Sequence, residues 1–211
     1  SSDVCSSDLA QNAACILIDS SSYGDRGGFY SYYDGQVMMG LSVYLDTGGP
    51  DTPAASAGFN CTGRSARQTI DKVVDRTLAA QQGGVPAFGN CSGYWDYAGP
   101  GCDSSTTQLT IAGLASAKGF YATKGESADK NRLPLITSAL NLTSDGYAAN
   151  GQSQVGGLFD SCTAAGCSGH GYQAWYGSSY GSAYNVPQQT ASGTWGQLVG
   201  TRSVNDASVQ R

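Results

Sequence analysis

Charge is what this chain lacks. Only 13% of its 211 residues are Asp, Glu, Lys or Arg, against roughly 25% in an average soluble domain. Eleven Lys and Arg face sixteen Asp and Glu, giving a net charge of -5 with no basic cluster. Nucleic-acid recognition needs a basic footprint to hold phosphates, so that class is excluded. No apolar run approaches the roughly 20 residues that cross a bilayer, so no transmembrane segment is expected. There is one histidine, His170. No second Cys/His pair stands at zinc spacing, so the set Cys162, Cys167 and His170 lacks an obvious fourth ligand.

In place of charge the chain has 30 Gly, 13 Tyr and abundant Ser and Thr. Such a polar, weakly charged surface suits a secreted or periplasmic protein. Of seven cysteines, Cys5 lies in a leader, Ser1–Leu9 (S-S-D-V-C-S-S-D-L), that resembles a translated sequencing adapter and is set apart from the fold. With that leader an adapter, the native N-terminus is expected to be missing. An even set remains, which favours disulfides and an oxidising compartment. Six cysteines allow fifteen connectivities. The shortest loops favour Cys91 with Cys102 and Cys162 with Cys167, leaving Cys15 for Cys61.

Hydrophobic spacing predicts six helices. They are Ala10–Asp19, Asp34–Asp46 (Val37, Met38, Leu41, Tyr44, Leu45), Ser65–Gln82 (Ile70, Val73, Val74, Leu78), Asp103–Lys118 (Leu109, Ile111, Leu114, Ala117), Ala128–Leu142 (Leu133, Ile136, Leu140) and Gln188–Val199 (Ala191, Trp195, Leu198). Ser105 with Gln108 fits a capping box at the start of the fourth, and Gly119 fits a C-cap at its end. The intervening loops carry Gly27-Gly28-Phe29-Tyr30, Gly93-Tyr94-Trp95-Asp96-Tyr97 and Gly169-His170-Gly171-Tyr172. The chain therefore reads as three helix-loop-helix units over residues 10–201, followed by a tail at 202–211.

The order V-V-D-R-T-L-A-A-Q-Q, G-Y-W-D-Y, D-S-S-T-T-Q-L-T-I-A-G-L-A-S-A-K resembles the repeats of the terpenoid cyclase and protein prenyltransferase family, squalene-cyclase-like bacterial proteins in particular. Gly181, Tyr184, Gln188, Gly193 and Trp195 are similar to that family's QW motif without its leading basic residue. The resemblance implies an all-α fold, an α/α toroid in which an outer helix, a glutamine-containing turn, a glycine-aromatic loop and an inner helix recur. Six helices would make about half such a ring, with the remaining repeats in the same chain as partners. The family's chemistry does not carry over. Alkene protonation needs a D-x-D-D cluster that keeps one carboxyl protonated, and Asp103-Ser104-Ser105-Thr106 has one acid. No Asp, Cys and His zinc set exists on the inner helices, and no cofactor is expected.

The remaining candidates sit in the loops. Tyr30, Tyr33, Asp34, Tyr94, Trp95, Asp96, Tyr97, Asp103, His170, Tyr172 and Trp175 would converge at one end of a toroid. There, exposed aromatics with Asp between them stack on sugar rings or an apolar ligand; the opposing reading is that they pack the loops. Asp96 and Asp103 are candidates for an acid/base pair, against a helix cap and a turn. His170 is a candidate base, against a backbone-bonded loop histidine. Gly89-Asn90-Cys91-Ser92-Gly93 has the letters of a nucleophile elbow without the strand it needs. Expected, then, is a non-catalytic module binding a small apolar or glycan ligand, or a partner, through its aromatic loops. The alternative is a cyclase-, prenyltransferase- or glycan-active enzyme with catalytic repeats lying partly outside this sequence.

Overall fold

The computed structural model describes residues 2–22, 31–83, 91–97, 101–150, 152–153, 168–170 and 187–210. The chain is all-α. Its elements are α1 (Ser2–Ser20), α2 (Ser31–Asp46), α3 (Ala66–Ala80), α4 (Ser104–Lys124), a 3-10 turn (Asp129–Asn131), α5 (Arg132–Asn150), α6 (Pro187–Val199) and a short α7 (Ala207–Gln210). Two-residue strands, β1 (Gln152–Ser153) and β2 (Ser168–Gly169), pair antiparallel between α5 and α6.

All six expected helices form, with corrected ends. α1 runs back through the leader, where no Gly or Pro stops it. At α4 the N-cap is Asp103, not Ser105: its carboxylate accepts from Thr106 N–H at 2.7 Å and from the Ser105 hydroxyl at 2.6 Å. Gly119 does not end that helix. It is absent from the left-handed glycines, and α4 continues to Lys124, capped by Gly125 N–H on the Tyr121 carbonyl. α5 outruns its expected end by eight residues. Thr143 and Ser144, polar enough to read as loop, are fully buried, and the Ser144 hydroxyl donates to Gln197 O on α6 at 2.8 Å.

Contacts sort the helices into two rows, α1-α3-α5 and α2-α4-α6, with each helix of one row packed on the other. Within the second row the helices run parallel. Thr110 of α4 reaches Ser31 O of α2, and Gly113 lies on Gly35 and Met38. Gln108 and Ile111 of α4 meet Ser192 and Gly196 of α6. In the first row α3 and α5 are also parallel: Arg132 of α5 pairs with Asp75 of α3 through two bonds of 2.7 Å, and about two turns on, Gln81 reaches Ala139 O. Between rows the direction reverses. Tyr147, Ser144 and Leu140 of α5 meet Gly196, Gln197 and Gly200 of α6 in opposite order.

Glycine sets the closest approach. At Gly35 a β-carbon would collide with the Leu109 carbonyl and Thr110 N, and at Gly113 with Gly35 itself. Backbone meets backbone there, which only a residue without a side chain permits. The core between the rows is continuous from Ile18, Met38 and Leu41 through Ile70, Val74 and Leu114 to Ile136, Leu140 and Tyr147. One ion pair is built into it: Asp34, 2% exposed, receives Nε of Arg76 at 2.7 Å and also Nη2, while Nη1 donates to Ser21 O at 2.9 Å.

Candidate functional site

Because α2, α4 and α6 are parallel, their N-termini lie at one end of the row. The segment leading into α4, described at residues 81–83, 91–97 and 101–103, packs there. Gln81 anchors it, its side-chain amide donating to Gly93 O (3.2 Å), Ala139 O (2.8 Å) and the Thr143 hydroxyl (3.0 Å). Gly93 takes φ 85°, with its α-carbon against the Leu142 carbonyl. A disulfide joins Cys91 to Cys102 across the loop, and a second joins Cys15 to Cys61. Both pairs agree with the loop-closure reading; Cys162 and Cys167 lie outside the described residues.

The aromatics of this loop divide. Trp95 is fully buried: its indole N–H donates to Thr77 O at 2.8 Å, its backbone N–H to the Thr107 hydroxyl at 3.0 Å, and Asp103 N–H donates to its carbonyl at 3.1 Å. Tyr94 is 1% exposed and tilted against Tyr147 at 4.8 Å. Neither presents a ring to solvent, which is the loop-packing arrangement weighed against ligand binding. They form the core that a short loop between two helix ends otherwise lacks. Tyr97 is 39% exposed and stacks on Tyr32 of α2 at 5.8 Å, with Tyr33, 56% exposed, edge-on to the same ring at 5.9 Å. Loop and helix thus assemble a three-tyrosine cluster in which Tyr33 and Tyr97 are exposed and Tyr32 is half-buried.

The acids divide as well. Asp34 is bonded to Arg76. Asp103, 2% exposed, is the N-cap of α4, the cap weighed against its pairing with Asp96 as acid and base. Asp96 is half-buried beside Tyr97 and accepts that residue's N–H at 2.7 Å. Burial lifts its carboxyl above the usual range, the Tyr97 N–H pulls it down, and Asp103 raises it further.

His170, 5% exposed, is packed between helices rather than lying in an open loop. It stands edge-on to Tyr147 of α5 at 5.3 Å and over Gly193 of α6, and its N–H donates to the Thr190 hydroxyl at 3.2 Å. Nε2 lies 3.4 Å from Gln197 Nε2, and Nδ1 has no partner. Burial lowers its pKa to about 4. It plays for the α5/α6 pair the part that Trp95 plays for α3/α4. Among the described residues no group of three His, Cys, Asp or Glu is placed to hold a metal ion. Tyr30, Tyr172 and Trp175 lie outside the described residues.

Tyr32, next to Tyr33 among the loop aromatics, is the ring on which Tyr97 stacks. The helix pattern began α2 at Asp34 and so hid which ring Tyr97 meets. Gln81 was signalled by its place in the glutamine-containing turn. Compared with family models, curated proteins and solved structures, the chain matches none.

Proposed function

We propose that this chain is a non-catalytic repeat module that binds an uncharged glycan or apolar ligand, or a partner, through the face formed by Tyr32, Tyr33 and Tyr97. The observation that carries this reading is the solvent-facing tyrosine cluster on a braced base. Tyr97 is joined within two residues to buried Trp95, and its loop is closed by a disulfide and capped on α4. Rigid aromatics lose little side-chain entropy on binding and offer both an apolar face and a hydroxyl. Asp96 supplies a carboxylate at the edge for a ligand hydroxyl, and its negative charge disfavours anionic ligands.

We further read the two rows as part of an α/α toroid of the terpenoid cyclase-like kind. Parallel inner helices and antiparallel pairing support it. So does the distribution of exposed large apolar side chains. Apart from Tyr33, which belongs to the proposed binding face, and Val43 of α2, those on the helix pairs are Leu9 and Ile16 of α1, then Leu135 and Leu142 of α5 with Trp195 and Leu198 of α6, and none lies on α3 or α4. Flanks of that kind suit further helix pairs stacked on either side. A secreted or periplasmic location is supported by the two disulfides. No helix among the described residues is long and apolar enough to cross a membrane.

The test is a neutral oligosaccharide array read alongside tyrosine fluorescence titration. Wild type is expected to bind at least one neutral glycan, and the double variant Tyr33→Ala/Tyr97→Ala to lose that binding with unchanged helicity. Equal binding by the double variant, or an empty array together with no response to apolar probes, overturns the reading.

A further inference from the structure

Opposite the tyrosine cluster, where α2 and α4 end, the two helices diverge around a cavity of about 330 Å³, within the roughly 300–1,000 Å³ of small-molecule sites. Its wall is Ser42, Val43, Asp46, Ser116, Gly119, Phe120 and Thr123. We propose that this cavity binds a small organic cation, an ammonium group on a short apolar body.

Three observations converge on it. The first is Gly119. A glycine inside a helix costs stability relative to alanine, and several glycines on these helices have a packing reason. Gly35, Gly113, Gly146 and Gly196 each touch a neighbouring backbone or ring, whereas a β-carbon on Gly119 would meet nothing within 4 Å. Its missing side chain therefore serves no contact; it leaves the cavity open. The second is Ser42, 3% exposed, whose hydroxyl has no hydrogen-bond partner. Buried hydroxyls are nearly always bonded, and Ser42 is one of the residues of the wall.

The third is charge. Asp46 is the sole ionisable residue of the wall, and it lies on the last turn of α2, where the helix dipole is also negative. No Lys or Arg is part of the wall. Arg67 is bonded to Asp129 at 2.7 Å and lies over Phe120 at 5.0 Å, and Lys124 is exposed on the final turn of α4 without entering the wall. Asp46 supplies the charge, the Ser42 oxygen accepts an ammonium N–H, and Val43 with Phe120 holds the apolar part. One carboxylate is too few for a hard divalent metal, which takes six or more oxygens.

Butylammonium is the probe, with 1-butanol and butyrate as neutral and anionic counterparts of similar shape, followed by backbone amide shifts in NMR. Saturable shifts are expected at residues 42–46 and 116–123, up to about fivefold tighter for butylammonium than for butanol and absent for butyrate, the scale of one partly screened charge. Asp46→Asn, an exposed change that leaves the fold alone, should erase the difference between butylammonium and butanol. Gly119→Leu should abolish the shifts without lowering the melting temperature. Tyr33→Ala/Tyr97→Ala, at the other end, should leave them intact, which separates this site from the tyrosine face. Equal affinity for butanol and butylammonium, shifts centred elsewhere, or full binding by Gly119→Leu overturns the proposal.

Discussion

Replacing Trp95 by alanine should come close to unfolding the protein, while the same change at Tyr97, two residues on, should be mild. Trp95 is fully buried and bonded to Thr77 O at 2.8 Å. Truncating a buried Trp costs about 3–5 kcal/mol in lost transfer energy and cavity. The Thr77 carbonyl, left without its indole partner inside the core, adds about 1 kcal/mol or more. The sum, about 4–6 kcal/mol, rivals the whole stability of a domain, roughly 5–15 kcal/mol. Trp95→Phe keeps most of the apolar volume and should cost about 1–3 kcal/mol, mainly through the orphaned carbonyl. Tyr97 is 39% exposed and gives up its stacking on Tyr32 and a 3.3 Å contact with the Ser105 hydroxyl, about 1 kcal/mol. Urea unfolding followed by circular dichroism at 222 nm, under oxidising conditions, measures all three. A Trp95→Ala midpoint within 1 kcal/mol of wild type, or a Tyr97→Ala variant less stable than Trp95→Ala, would refute the assignment of Trp95 to the core.

The buried pair of Asp34 and Arg76 should show strong coupling: Asp34→Asn and Arg76→Gln each cost about 3–5 kcal/mol by stranding the other group, and the double variant costs much less than their sum. Additive losses in the urea cycle would mean the pair is not buried together. Glycine changes should differ in sign, Gly35→Ala destabilising by about 1–3 kcal/mol through collision with the Leu109 carbonyl and Gly119→Ala stabilising by about 0.5–1 kcal/mol; thermal melts decide this, and a stabilised Gly35→Ala contradicts the close approach of α2 and α4. His170 predicts a pH slope. Its pKa is about 4 in the fold and about 6.5 in the unfolded chain, so between these values the unfolded chain binds the extra proton. The stability is then complete above about pH 6.5 and falls as the pH drops toward 4, by about 2 kcal/mol between pH 7 and 5. His170→Gln should flatten that slope, and an unchanged slope would show that the imidazole is not buried in its neutral form.

The sequence by itself marked out the six helices, favoured the pairing of Cys91 with Cys102 and carries no Lys/Arg cluster, because periodicity, loop closure and composition are local properties. Val73, Val74 and Ile70 recur at helical spacing whatever lies opposite them. Helix ends were less legible. Thr143 and Ser144 look like loop until α6 arrives to bury them, and Gly119 looks like a stop until the chain passes it in helical geometry. Site residues were least legible of all. Trp95 and Tyr97 are both aromatics in one glycine-rich loop, and nothing within five residues says that one caps Thr77 in the core while the other stacks on Tyr32 in solvent. Asp34 and Asp103 read alike as acids opening helices, yet one meets an arginine 42 residues away and the other closes its own first turn. Such fates depend on which side chains the folded rows bring together, and long-range proximity leaves no periodic mark on the chain.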